Sequence, residues 1–115
     1  MAALARLKRR QEFLRVAAGK RKWVAPGLIL QAAARGAETA DPARIGFTAS
    51  RKVGISVVRN RARRRLKAAV AALMPLHAAT GVDYVLVARA ETARRPFADL
   101  LLDLETGLKR LGLWR

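Results

Sequence analysis

The chain has 115 residues, 52% of them hydrophobic, with 24 lysines and arginines against 8 aspartates and glutamates, a formal charge of +16. That length suits a single domain, residues 1–115, and that charge points to nucleic acid ahead of an anionic membrane surface. With no cysteine and one histidine, His77, disulfides, zinc fingers and Cys-ligated clusters are excluded, and no apolar run reaches the roughly 18 residues of a membrane span.

The first ten residues lack the apolar run of a signal peptide. Residues 4–18 read as a short basic helix, starting near Lys8, with Phe13, Val16 and Ala17 on one face and Gly19 as its C-terminal cap. A short strand is expected around Trp23, before the turn signal Pro26-Gly27. Residues 28–34 form a strand with Leu28 and Leu30 on one face and Ile29 and Gln31 on the other. Residues 36–42 read as a hairpin or loop connection. In the strand at 44–50, Ile45, Phe47 and Ala49 face one way and Gly46, Thr48 and Ser50 the other. One sheet face is therefore apolar and the other small and polar, as when one side packs and one stays open.

Residues 52–56 form a loop containing Gly54, with Ser56 as the N-cap of a helix over 57–74 that stops at Pro75. Residues 76–81 connect to the most apolar strand, 82–88, which is expected to be central. Pro96 opens a last helix, with Phe97, Leu100, Leu101, Leu104, Leu108 and Leu111 as its buried stripe. Asp99 and Asp103 near its start, and Lys109 and Arg110 near its end, suit the helix dipole. The fold class is α+β: a four-stranded sheet, elements in the order α-β-β-β-α-β-α, packed as a two-layer sandwich.

Residues 50–67, S-R-K-V-G-I-S-V-V-R-N-R-A-R-R-R-L-K, hold eight lysines or arginines and no acid. Arg59, Arg63 and Lys67 stack on one helix face, while Val58, Ala62, Leu66, Ala69 and Leu73 form an apolar stripe on another. Like charges at i, i+4 repel, and a bound polyanion would relieve that repulsion. A merely solvated face would carry acids at three and four residues' distance, and a membrane-surface helix would carry large apolar residues where this one has Ala and Val. Nucleic-acid binding is the remaining reading. The planar fork of arginine holds phosphate bidentately and stacks on bases.

Protein-based catalysis is poorly supported. Asp99, Asp103 and Glu105 read as a solvated helix face, His77 as a connector residue, and no acid lies between Asp41 and Asp83 to serve as a general base or metal ligand. Phe47 reads as core, and Phe13 as either core or an RNA-stacking position.

The run G-F-T-A-S-R-K-V-G-I-S-V-V-R-N-R-A-R-R-R-L-K, residues 46–67, resembles the signature of the protein subunit of bacterial ribonuclease P. Arg59-Asn60-Arg61 match its hallmark, Arg63, Arg64 and Lys67 its further basic positions, and Gly46, Ser50, Arg51, Lys52 and Gly54 the preceding segment. Glu12-Phe13, the strand end at 86–89 and the amphipathic last helix extend the likeness over nearly the whole chain. The resemblance implies a ribonucleoprotein endoribonuclease that removes the 5′ leader of precursor tRNA. Its chemistry would be carried by a catalytic RNA and its Mg²⁺, with no catalytic residue, metal or cofactor on the protein side chains. It implies RNA contacts from Arg51, Lys52, Arg59, Asn60, Arg61, Arg63, Arg64 and Lys67. It implies a leader cleft formed by Phe13, Val16, Ala17, Ile29, Gln31, Thr48 and Ser50, and a left-handed strand-helix-strand crossover where the general rule favours the right-handed one. The implied partners are the catalytic RNA and precursor tRNA, without a membrane or an obligatory protein partner, in the cytoplasm. Ala17 stands where an aromatic is common in the family and Gln31 where one can occur, Ile55-Ser56 replace Asn-Ala, and Arg51 replaces Lys. Two other classes compete: a ribosomal-type structural RNA-binding protein, and a duplex-DNA regulator, for which the chain shows no dimer seam.

Overall fold

Apolar alternation makes the strands here, and apolar recurrence at three and four makes the helices. The computed structural model describes residues 4–35 and 41–115. Its elements are β1 (Ala5–Arg6), α1 (Arg10–Ala18), β2 (Lys22–Val24), β3 (Leu28–Ala34), β4 (Arg44–Thr48), α2 (Ser56–His77), β5 (Val82–Ala88) and α3 (Phe97–Arg110), with a 3-10 turn at Arg51–Val53. The sheet has five strands in the order β1-β4-β5-β3-β2. β5 is central, as its apolar composition predicts. It pairs parallel with β4 and antiparallel with β3. β4 and β5 are thus parallel neighbours joined through α2.

The four-strand expectation gains β1, in the segment just ahead of the helix start expected near Lys8. The Ala5 N–H donates to the Ala43 carbonyl (2.9 Å) and the Leu7 N–H to the Ile45 carbonyl (3.0 Å), so the segment runs parallel to β4. Where α1 begins, the Glu12 carboxylate accepts the Lys8 and Arg9 N–H groups, at 2.9 and 2.8 Å. Those bonds satisfy donors that the first helical turn leaves open. The connection after β3 is not a hairpin, because β5 lies between β3 and β4. Most of that connection, residues 36–40, lies outside the described residues.

Helices lie on both sheet faces. On one, Leu28, Leu30, Ala32, Ile45, Tyr84, Leu86 and Ala88 pack against Ala62, Leu66, Ala69, Val70 and Met74 of α2 and Leu100, Leu104 and Leu108 of α3. Each fully buried leucine contributes about 2 kcal/mol relative to exposure. On the other, Val16 of α1 packs with Leu7 and Val85, flanked by Phe13, Ala33 and Val87. The two-layer sandwich thus acquires a partial third layer.

Three details of the helices depart from expectation. Ser56 is the first residue of α2 rather than its cap; Ile55 caps it, without a side-chain bond. α2 also continues past Pro75 to His77. Proline lacks an N–H, yet in a last turn it removes a single bond, and the chain end holds that turn in place. The Ala79 N–H donates to the Leu113 carbonyl (3.1 Å), the Arg115 N–H to the His77 carbonyl (2.6 Å), and the His77 ring stacks on Trp114 at 3.9 Å. His77 is therefore a structural residue, not an incidental connector. In α3, Leu100, Leu104 and Leu108 are buried, but Phe97 is 38% exposed.

Candidate nucleic-acid interface

Seven of the cations read from sequence lie on or just before α2. Arg51 and Lys52 are in the 3-10 turn and exposed. Arg61, Arg64 and Lys67 are exposed on α2, with Asn60 beside them, and Arg59 and Arg63 are half-buried. The turn ends at Gly54, whose φ of 150° is open to glycine and rarely to other residues. The first turn of α2 holds no acid and no side-chain cap, so its N-terminal dipole adds to the positive field.

Among the described residues no carboxylate pairs with any of these seven side chains. Arg63 Nη1 donates to Asn60 Oδ1 at 2.9 Å. Lys67 Nζ sits 5.9 Å from the Phe47 ring centre, and the Arg6 guanidinium 5.1 Å from it. Phe47 packs against the main core, as read, while carrying these two cations over its ring. Arg65 serves differently. Its guanidinium donates to the Thr92 carbonyl (2.5 Å) and to the Arg95 carbonyl, tying α2 to the segment before α3.

The opposite sheet face holds the second group. Strand register places Thr48, Val87 and Ile29 in one cross-strand row, Gly46, Val85 and Gln31 in the next, and Arg44, Asp83 and Ala33 in a third. Helix α1 covers the third row and part of the second. The Phe13 ring lies against Gly46 so closely that a Cβ there would meet Phe13 Cε1 at 2.3 Å. Only glycine lets the helix descend this far. Thr48, Ile29 and Gln31 are half-buried and Ser50 is exposed at the strand end. Ala17 is exposed and Phe13 half-buried, but Val16 is 1% exposed. Val16 therefore backs the cleft wall instead of lining it, because the cluster with Leu7 and Val85 consumes its side chain.

Three cleft residues were missed. Arg10 and Leu14 line a depression of about 330 Å³ together with Phe13, Phe47 and Thr48. Their spacing from Phe13 and Ala17 on α1 would have revealed them. Val87 belongs to the floor by simple alternation along β5.

Three carboxylates, Asp83, Glu12 and Asp103, hold this arrangement together, and none was read as a structural anchor. Asp83 is fully buried. It accepts from Arg44 Nε (2.7 Å) and Nη2 (2.7 Å), Arg35 Nη1 (2.8 Å) and Arg15 Nη2 (2.6 Å). Burial pushes its pKa up, but the hydrogen bonds from Arg44, Arg35 and Arg15 outweigh burial and bring it down to about 2. Arg44 also donates to Glu12 at 2.6 Å, and Glu12 itself is held below the usual carboxylate range, chiefly by the backbone N–H groups of Arg9 and Lys8. Asp103, read as a solvated residue, is only 7% exposed. It accepts the Gly27 N–H (3.0 Å) and Arg95 Nε (2.6 Å), because the β2–β3 turn packs onto α3.

The family model for ribonuclease P matches residues 1–112. The ribonuclease P protein component of Paramagnetospirillum magneticum is 61% identical over 113 residues, covering 96% of this chain and 85% of that one. That of Gluconacetobacter diazotrophicus is 51% identical over 108 residues, covering 94% and 91%. This chain belongs to the ribonuclease P protein family. The ribonuclease P fold is likewise found in solved structures. The Staphylococcus aureus RNase P protein matches with a TM-score of 0.77 at 19% identity, covering 96% of this chain and 97% of that one. The Thermotoga maritima protein matches with a TM-score of 0.72 at 22% identity, covering 88% and 92%. As a ribonuclease P protein component, the chain is a subunit of a ribonucleoprotein endonuclease of tRNA processing. Among the described residues, no helix is long and apolar enough to cross a membrane, and no group of three or more His, Cys, Asp or Glu side chains converges to hold a metal ion.

Proposed function

We propose that the chain binds the catalytic RNA of ribonuclease P through α2 and the 3-10 turn, and the single-stranded 5′ leader of precursor tRNA on the opposite sheet face. The observation that carries this reading is the division of surfaces. One sheet face supports α2 and the 3-10 turn before it, with seven cations that have no carboxylate partner among the described residues, and the other leaves a half-open floor beside α1. Arg51, Lys52, Arg59, Asn60, Arg61, Arg63, Arg64 and Lys67 contact RNA phosphates and bases. Phe13 and Ala17 form the wall of the leader cleft, Val16 backs it, and Ile29, Gln31, Thr48 and Ser50 form the floor.

Bond cleavage is the work of the RNA and its Mg²⁺, and no protein side chain takes part in it. Asp83 and Asp103 support this division, since both are committed to arginine. The protein raises activity by positioning. With Gln31 in a place where a ring would stack, the floor grips the leader by hydrogen bonding and apolar contact.

The leader assignment is tested by Gln31→Ala and Thr48→Val in the reconstituted enzyme. Both variants lose preference for precursor over mature tRNA while assembling with the catalytic RNA as the wild type does. Unchanged preference in both removes the leader from this face.

A further inference from the structure

Phe97 belongs by spacing to the buried stripe of α3, yet it stands 38% exposed at the helix's first turn. It borders a groove of about 320 Å³ between α2 and α3, whose other walls are Arg61, Arg64, Arg65 and Ala68. Arg61, Arg64 and Ala68 lie at i, i+3 and i+7, on one helix face. Arg61 and Arg64 are exposed, and among the described residues neither has a carboxylate partner. Arg65 is already committed to the Thr92 and Arg95 carbonyls. It acts as a positioning residue that holds Phe97 against the arginine face. Ala68 leaves the groove floor open.

We infer that this groove is a stacking site for one unpaired base of the catalytic RNA, with Phe97 against the base and Arg61 and Arg64 on the flanking phosphates. An exposed ring beside two unpaired guanidinium groups matches the two chemistries of an unstacked nucleotide, a π-face and an anionic backbone. A lipid surface would need several large apolar residues here, and the groove has one. The leader is not the occupant, because α2 and α3 cover the sheet face opposite α1. The site extends the RNA interface from α2 onto α3, and it rests on the reading of α2 given under Proposed function.

The test is titration of the full chain with the catalytic RNA over a salt series, comparing Phe97→Leu, Phe97→Tyr and Arg61→Ala. Phe97→Leu keeps apolar bulk without a ring, and weakens binding about tenfold with the salt slope unchanged. Phe97→Tyr binds like the wild type, and Arg61→Ala lowers the slope by about one unit. Thermal unfolding matches the wild type for both Phe97 variants, whose ring is partly in solvent already. Wild-type affinity in Phe97→Leu, or equal loss in Leu and Tyr, overturns the stacking site while the α2 interface stands. A wild-type chain that does not bind the catalytic RNA contradicts the α2 reading and overturns this site with it.

Discussion

Asp83 shows what a single residue does in this molecule. It is an acid in the central strand, without solvent, surrounded by three arginines from α1, from the end of β3 and from β4. Removing its charge leaves Arg15 and Arg35 without a carboxylate and Arg44 with Glu12 alone, so Asp83→Asn costs about 3 kcal/mol of stability. The pH dependence follows from its lowered pKa. A carboxyl near 2 when folded and near 3.8 when unfolded stabilises the protein fully above the unfolded value and progressively less as the pH falls toward 2. Chemical denaturation at several pH values should therefore show the gap between wild type and Asp83→Asn closing between about pH 4 and pH 2. A gap that persists at pH 2 would mean that the charge is not what the arginines hold. Asp83 was legible only as an anomaly: a lone acid in an apolar strand is almost never buried unless it is paired, but its partners come from segments 39 to 68 residues away in sequence.

At the scale of one element, α2 divides its circumference. Ala62, Leu66, Ala69, Val70 and Met74 are buried, Arg65 ties the helix to the α3 segment, Arg61, Arg64 and Lys67 are exposed, and Arg59 and Arg63 are half-buried. Arg59→Ala and Arg63→Ala should each lower the salt slope of RNA binding by about one unit, since each removes one phosphate contact. An affinity loss with an unchanged slope would assign them to packing instead. Arg59 adds a detail: its Nε is buried without a hydrogen-bond partner, a cost relieved if its guanidinium moves onto a phosphate. Most of α2 was readable in sequence, because a basic run over an apolar stripe leaves one packing solution. Its ends were not. Ser56 and Pro75 carry strong local signals, yet the helix takes Ser56 as its first residue and runs past Pro75, where residues 113–115 close on His77. β1 was hidden as well. Its pairing to β4 is a long-range bond pattern laid over residues that local propensity would place in a helix.

At the scale of the whole molecule, the sheet is a partition. β4 carries Phe47 and Lys67's cation contact toward one face, and Thr48 toward the other, so one strand serves both surfaces. Alternation along β3 and β4 set Ile29 and Gln31, and Thr48, apart from the core-facing residues in the sequence, and only the family resemblance made them a leader floor. How far α1 covers it was not legible, because that depends on Gly46 admitting the Phe13 ring and on Val16 sinking into the sheet. Under the proposed function this protein positions RNA and leaves the chemistry to an RNA partner. The direct measurement is cleavage of a 5′-labelled precursor tRNA in Mg²⁺ by the protein alone, the catalytic RNA alone and the two together. The protein alone should show no cleavage and, at moderate Mg²⁺, leader removal by the pair should exceed that by the RNA alone. Cleavage by the purified protein without the RNA would contradict that function.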